Sequence, residues 1–219
     1  MKLARFALAA PFLLWMGCGQ GVANIRAVGD GNEVLLVRAA ADFNGDRTRW
    51  QVDVFRDGVE LDDVQAQVQV AEGEDGALQT LAFQGNRFEI DLDGYAQTFR
   101  LVVNSGEDNV DAVFEGPSPV LITSPAAGTI FDLSQNEDLL VTWEGANGDE
   151  ATEVFVALNG FLTTLVGDPG EVVVPFVNVD PNADQVTVIR SNIAILGGGA
   201  PGSILSISES AEVDFSVNQ

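Results

Sequence analysis

Histidine is absent from the 219 residues. That excludes Ser-His-Asp and Cys-His catalysis, imidazole metal ligands and the usual acid/base near neutral pH. Cysteine occurs once, at Cys18, so the chain builds no internal disulfide, zinc–thiolate or iron–sulfur centre. Lysine also occurs once, at Lys2. Residues 19–116 carry 7 Arg against 19 Asp and Glu, and residues 117–219 carry Arg190 alone against 14. The net charge of −23 is therefore spread along the chain rather than held in a tail. A surface of that sign repels phosphate backbones, which argues against a nucleic-acid partner, and it does not dock on anionic lipid by charge. It attracts cations, calcium among them, and it also serves plain solubility.

Long hydrophobic runs are missing too. The apolar stretch at residues 6–16, interrupted by Pro11, falls short of the roughly 20 residues that cross a bilayer. With Lys2 and Arg5 before it, this stretch has the charge order and length of a secretory signal peptide. It ends in Gly17-Cys18, and that junction resembles the lipobox of bacterial lipoproteins. The resemblance implies that the Cys18 thiol receives a diacylglyceryl group and becomes the mature N-terminus. Trp15 and Met16 stand where that family usually has Leu and a small residue. A diacyl group with a further amide-linked chain exceeds the two lipid signals that stable anchoring takes. In known lipoproteins Gly rather than Asp after the cysteine points to the outer membrane, and Gly19 follows that pattern. The alternatives are ordinary secretion, cleaved after Gly21-Val22-Ala23, and an uncleaved helix.

What remains is β composition, rich in Val, Ile, Phe and Thr with Gly, Asn and Asp between. "VQAQVQV" at 64–70 alternates, with Val64, Ala66, Val68 and Val70 on one face. Phe88, Ile90 and Leu92 share a phase, as do Trp50, Val52 and Val54, and Phe99, Leu101 and Val103. A period of two with one wet face is that of a strand lying over a core. Asn159-Gly160 is the strongest hairpin signal, because both residues tolerate positive φ. Beyond the N-terminus no stretch has a 3.6-residue pattern. "GPSP" at 116–119 interrupts the strands as a stiff spacer, and the pattern then restarts.

Each half has about 100 residues, the size of an immunoglobulin-like sandwich. Residues 122–145, "ITSPAAGTIFDLSQNEDLLVTWEG", resemble the opening of bacterial and fungal surface Ig-like domains, and the resemblance implies that Trp143 packs in a core. "LDGYAQTFRLVV" falls where fibronectin-III-like domains carry a tyrosine corner, with Phe99 at the corner position, so the usual hydroxyl-to-backbone bond is expected to be missing. The expected fold is all-β, with two tandem Ig-like β-sandwich domains after a lipoprotein signal peptide. The divisions are signal 1–17, tether 18–32, first domain 33–116, linker 117–119 and second domain 120–219. Residues 24–116 and 119–219 are each expected to fold alone.

Candidate chemistry is sparse. Asp42, Asn44 and Asp46 have the D-x-N-x-D spacing of a calcium loop, with Thr48 and Asp53 at later ligand places. Arg47 stands where such a loop needs glycine, Arg49 where it needs an apolar residue, and Asp53 where it needs Glu. The competing reading is an Asn-Gly hairpin with solvated acids. Asp62-Asp63, Glu74-Asp75 and Asp149-Glu150 are acid pairs in turns, not carboxylates set across a cleft as a glycosidase requires. Trp50 and Trp143 fall on apolar phases, whereas Tyr95 falls in a turn, as an exposed aromatic would. "GGGAP" at 197–201 lacks the lysine and Ser/Thr of a phosphate loop. The expectation is a non-catalytic, lipid-anchored outer-membrane or periplasmic module, with no cofactor. Its partners would be the bilayer and a protein or glycan. A calcium-dependent carbohydrate- or adhesion-binding module is the alternative.

Overall fold

A computed structural model describes residues 26–218 of the chain. In chain order the strands are β1 (Arg26–Gly31), β2 (Leu35–Phe43), β3 (Arg47–Arg56), β4 (Val59–Glu60), β5 (Gln67–Glu72), β6 (Gln79–Thr80), β7 (Ala82–Gln84), β8 (Arg87–Asp93), β9 (Thr98–Ser105) and β10 (Asp108–Glu115). After the spacer follow β11 (Val120–Ser124), β12 (Ile130–Asp132), β13 (Leu139–Gly145), β14 (Glu153–Leu158), β15 (Phe161–Val166), β16 (Glu171–Val174), β17 (Gln185–Leu196), β18 (Ile204–Asp214) and β19 (Ser216–Asn218). Two short 3₁₀ turns are the only helical elements among the described residues.

The fold is all-β, and the chain forms two β-sandwiches with separate cores. In the first, the layer β6-β5-β9-β10-β1 faces the layer β7-β8-β3-β2. Its core includes Trp50, Val52, Val54, Phe88, Phe99, Leu101 and Val103, on the phases that alternation assigns them. In the second, β11-β13-β16 faces β15-β14-β17-β18, and Trp143, Val141, Val154, Val156, Val186 and Val188 fill the space between. The turn at Gly160, with φ of +80°, joins β14 to β15.

One expected strand residue lies elsewhere. Val64 is 89% exposed, and β5 begins only at Gln67. The cause is local: the Asp62 carboxylate accepts the Val64 and Gln65 backbone N–H groups, which closes a turn where alternation alone continues the strand.

The β17–β18 hairpin is the element that organises the molecule. Its register is unbroken from Gln185 opposite Asp214 to Ile195 opposite Ile204. Inward residues alternate along its whole length. Val186 and Val188 belong to the second core, while Ala194, Leu196, Leu205 and Ile207 belong to the first. Residues 204–209 of β18 pair in parallel with residues 38–43 of β2, and Ile195 and Leu196 of β17 pair with Arg26 and Ala27 of β1. The segment after the spacer thus supplies part of the wall of the sandwich before it.

Trp50 is fully buried and meets Phe99 edge-on, with ring centroids 5.4 Å apart. Truncating it to Ala is expected to cost about 3–5 kcal/mol, as buried large-to-small changes do. Chemical denaturation measures this; a loss below about 1 kcal/mol would mean that the indole contributes little packing. Acrylamide should quench the blue-shifted emission of the wild type poorly.

Candidate functional site

The largest polar constellation lies where the two cores meet, and it is built around a buried arginine. In β17 the inward phase runs Val186, Val188, Arg190, Asn192, Ala194. Arg190 has no exposed surface. Its Nε donates to Asp168 Oδ2 at 2.7 Å, and Nη2 lies 2.7 Å from the same oxygen. Nη1 donates to the Ser118 carbonyl at 2.7 Å, and Nη2 to the Asp149 carbonyl at 2.5 Å. Asp149 Oδ1 lies 3.3 Å from both terminal nitrogens. The guanidinium fork thus joins the spacer, the β13–β14 connection and the β15–β16 connection.

Both carboxylates are held in turn. Asp168 accepts Trp143 Nε1 at 2.7 Å and the Ala151 N–H at 3.2 Å. Asp149 accepts the Ser118 N–H at 2.8 Å, and the Ser118 hydroxyl donates to it as well. Burial pushes the Asp149 carboxyl up, but the Ser118 hydrogen bonds and the Arg190 charge outweigh burial and hold it below its ordinary value. Gly145 is required beside this centre, since a Cβ there would overlap Asp149 Oδ1 and both terminal nitrogens of Arg190.

A second set of contacts lies on the first sandwich's side. Glu209, on the inward phase of β18 and 4% exposed, accepts the Val120 N–H at 2.7 Å. Burial raises its carboxyl above the ordinary range, against the Val120 hydrogen bond and the Arg190 charge. The Tyr95 hydroxyl donates to the Pro117 carbonyl at 2.5 Å, and its ring packs on Phe43 and Phe99. Burial raises the phenol, and the charges of Glu209 and Asp149 raise it further. Tyr95 is therefore a half-buried tie to the spacer rather than an exposed platform. It supplies a hydroxyl-to-backbone bond in the region where Phe99 suggested none. Gly116 makes room for it, because a Cβ there would strike the Tyr95 hydroxyl and Ile207. Asn192 Nδ2 donates to the Glu115 carbonyl, and Asn147 Nδ2 to Gln97 Oε1, both at 3.1 Å. Chemically the centre is a lock: every Arg190 nitrogen has an acceptor, and both carboxylates are engaged.

The residues singled out as candidate ligands fall elsewhere. Asp42 is on β2 opposite Arg49 of β3. Asn44 and Asp46 occupy the turn between these strands, where the Asn44 N–H donates to the Arg47 carbonyl and the Asp46 carbonyl accepts the Gly94 N–H. Asp53 lies in β3, within 3.5 Å of Arg87. No group of three or more acidic, histidine or cysteine side chains is gathered as a metal site among the described residues. Calcium is expected to shift the thermal midpoint no more than ionic-strength-matched sodium does. A calcium-selective rise that Asp46→Ala abolishes would establish a specific site here. Trp143 is a core residue, 3% exposed, with its ring nitrogen committed to Asp168. Cys18 lies outside the described residues. Among those described, no helix is long and apolar enough to cross a membrane.

Sequence reasoning missed Arg190, although a signal was present. In "QVTVIRSNIAIL" the arginine sits on the phase of Val186 and Val188, the phase that faces a core. A charge there requires buried partners.

No family model matches the chain, and no curated protein matches it. Among solved structures it is similar to a chimeric titin Z1Z2 functionalized with a KLER exogenous peptide from decorin. The identity is 9%, the match covers 89% of this chain and 98% of that one, and the TM-score is 0.25. A score of that size carries no argument, and the class of the protein rests on its own sheets.

Proposed function

We propose that this protein is a non-catalytic, lipid-anchored module whose two sandwiches form a rigid unit that holds a binding surface at a set distance from a membrane. The observation that carries this reading is the β17–β18 hairpin, continuous through both cores and tied by Arg190 to the spacer where they meet. Domains joined only by a linker move relative to each other by default. Here bending at the spacer would have to break strand pairing and the Arg190 centre together. Such stiffness suits a spacer or a presenting surface.

The anchor is the diacylated Cys18 that the N-terminal pattern implies. Mass spectrometry of the native protein is expected to find an acylated N-terminal Cys18, and Cys18→Ser is expected to move the protein from the membrane pellet to the soluble fraction. A mature N-terminus at Asn24 would refute the anchor. Small-angle scattering of the soluble form tests the stiffness: one rigid shape is expected, and an ensemble of bent shapes would refute it.

A further inference from the structure

We propose that the free edge of β15 is a docking site for an extended, basic polypeptide strand, which joins the second sandwich by β-augmentation. Among the described residues β15 pairs with β14 alone. Its ladder runs without a bulge from Glu153 opposite Val166 to Leu158 opposite Phe161. The outer row of backbone donors and acceptors therefore has no strand of the described residues beside it. Sheet edges are normally blunted by charge, proline, bulges or shortness. The strand "FLTTLV" has no charge, proline or bulge and runs for six residues.

The side chains suit a strand partner. Phe161 and Leu165 pack toward the core, and Leu162 and Val166 face solvent at 68% and 72% exposure. Across the ladder Thr164 lies opposite Phe155, and Phe155 opposite Ile189, so the solvent face beside the edge continues as half-buried apolar surface. An added strand would extend this face and cover Leu162 and Val166, which is the recognition mode that combines main-chain hydrogen bonds with alternate side-chain contacts.

Charge selects the occupant. The only basic residue in 117–219 is Arg190, which has no exposed surface, so the second sandwich offers no cation to solvent. Acids stand near both ends of this strand: Glu153 on the adjoining β14, opposite Val166, and Asp180, whose carboxylate lies 4.0 Å from where a Cβ on Gly160 would be. A strand with Lys or Arg at its ends meets opposite charge at each end, whereas a second copy of this chain brings further acid. This proposal needs only the second sandwich's edge and stands apart from the anchored-spacer reading.

The test uses the full chain and a short peptide of alternating valine and threonine with lysine at each end. A second peptide carries glutamate in place of lysine. Amide hydrogen exchange is read at residues 161–166. The lysine peptide is expected to protect alternate amides of β15 and to lose this effect in high salt. The glutamate peptide is expected to protect none. Thr164→Pro should abolish protection. Because proline here can unfold the sandwich, Leu162→Lys with Val166→Lys provides a second variant that keeps the backbone and repels the basic peptide. Absence of protection by the lysine peptide would overturn the proposal, as would equal protection by both peptides. So would protection of β15 that appears with protein concentration alone, which would assign the edge to a second copy.

Discussion

Replacing Arg190 by methionine is expected to destabilise the protein by about 3–5 kcal/mol, because it leaves buried carboxylates without their counter-charge. Methionine fills much of the space but donates nothing. Asp168, whose side chain is 6% exposed, keeps only the Trp143 and Ala151 donors, and the Ser118 and Asp149 carbonyls lose theirs. Arg190→Lys should recover only part of the loss, since one ammonium cannot span Asp168, Ser118 and Asp149 as the planar fork does. Acid should narrow the gap between wild type and Arg190→Met. Asp149 is held below its ordinary 3.8 in the folded wild type, so its contribution is present above that pH and fades as pH falls below it. In the variant, Glu209 loses the Arg190 charge that restrains its raised carboxyl, so protonation relieves more of its burial cost. Both effects act in the same direction. Urea unfolding at neutral pH and near pH 3 measures the gap; a neutral-pH loss under about 1 kcal/mol would show that the centre is not a lock.

The parts of this fold legible in the sequence are those set by nearest neighbours. Trp50-x-Val52-x-Val54 and Phe99-x-Leu101-x-Val103 reveal their faces because alternation is a local property. Asn159-Gly160 reveals its hairpin because the backbone needs positive φ at Gly160. Val64 shows where the rule ends: its spacing fits a strand, but one Asp62 carboxylate on two N–H groups turns the chain first. The centre at the junction is non-local. Asp149 and Glu150 read as a solvated pair in a turn, because the Arg190 that lies across from Asp149 is 41 residues away along the chain, beyond the reach of any local pattern. The shared hairpin was hidden for a different reason. Residues 185–196 and 204–214 alternate as strands of any sandwich do, and alternation specifies a buried face without saying which core buries it.

That shared hairpin leads to the second large expectation: residues 26–116 alone should fail to fold cooperatively, contrary to what the break at "GPSP" suggests. The fragment lacks Ala194, Leu196, Leu205 and Ile207, which belong to the first core. Leu196, Leu205 and Ile207 are almost fully buried, and at about 1.5–3 kcal/mol for each such side chain their absence removes about 5–9 kcal/mol. A domain of this size has a total stability of about 5–15 kcal/mol. The fragment also loses the strand that pairs with β2 along residues 38–43, which leaves a new open edge beside the exposed core. Residues 117–219 retain their own core and Ser118, the Arg190 partner on the spacer, so they should fold, but with Leu205 and Ile207 uncovered and a tendency to associate. Mixing the two fragments should restore a cooperative transition, because each supplies what the other lacks. Circular dichroism and urea titration of each fragment and of the mixture decide the matter. A cooperative transition in residues 26–116 alone, at a midpoint near that of the whole protein, would show that the hairpin leans on the first sandwich without completing it.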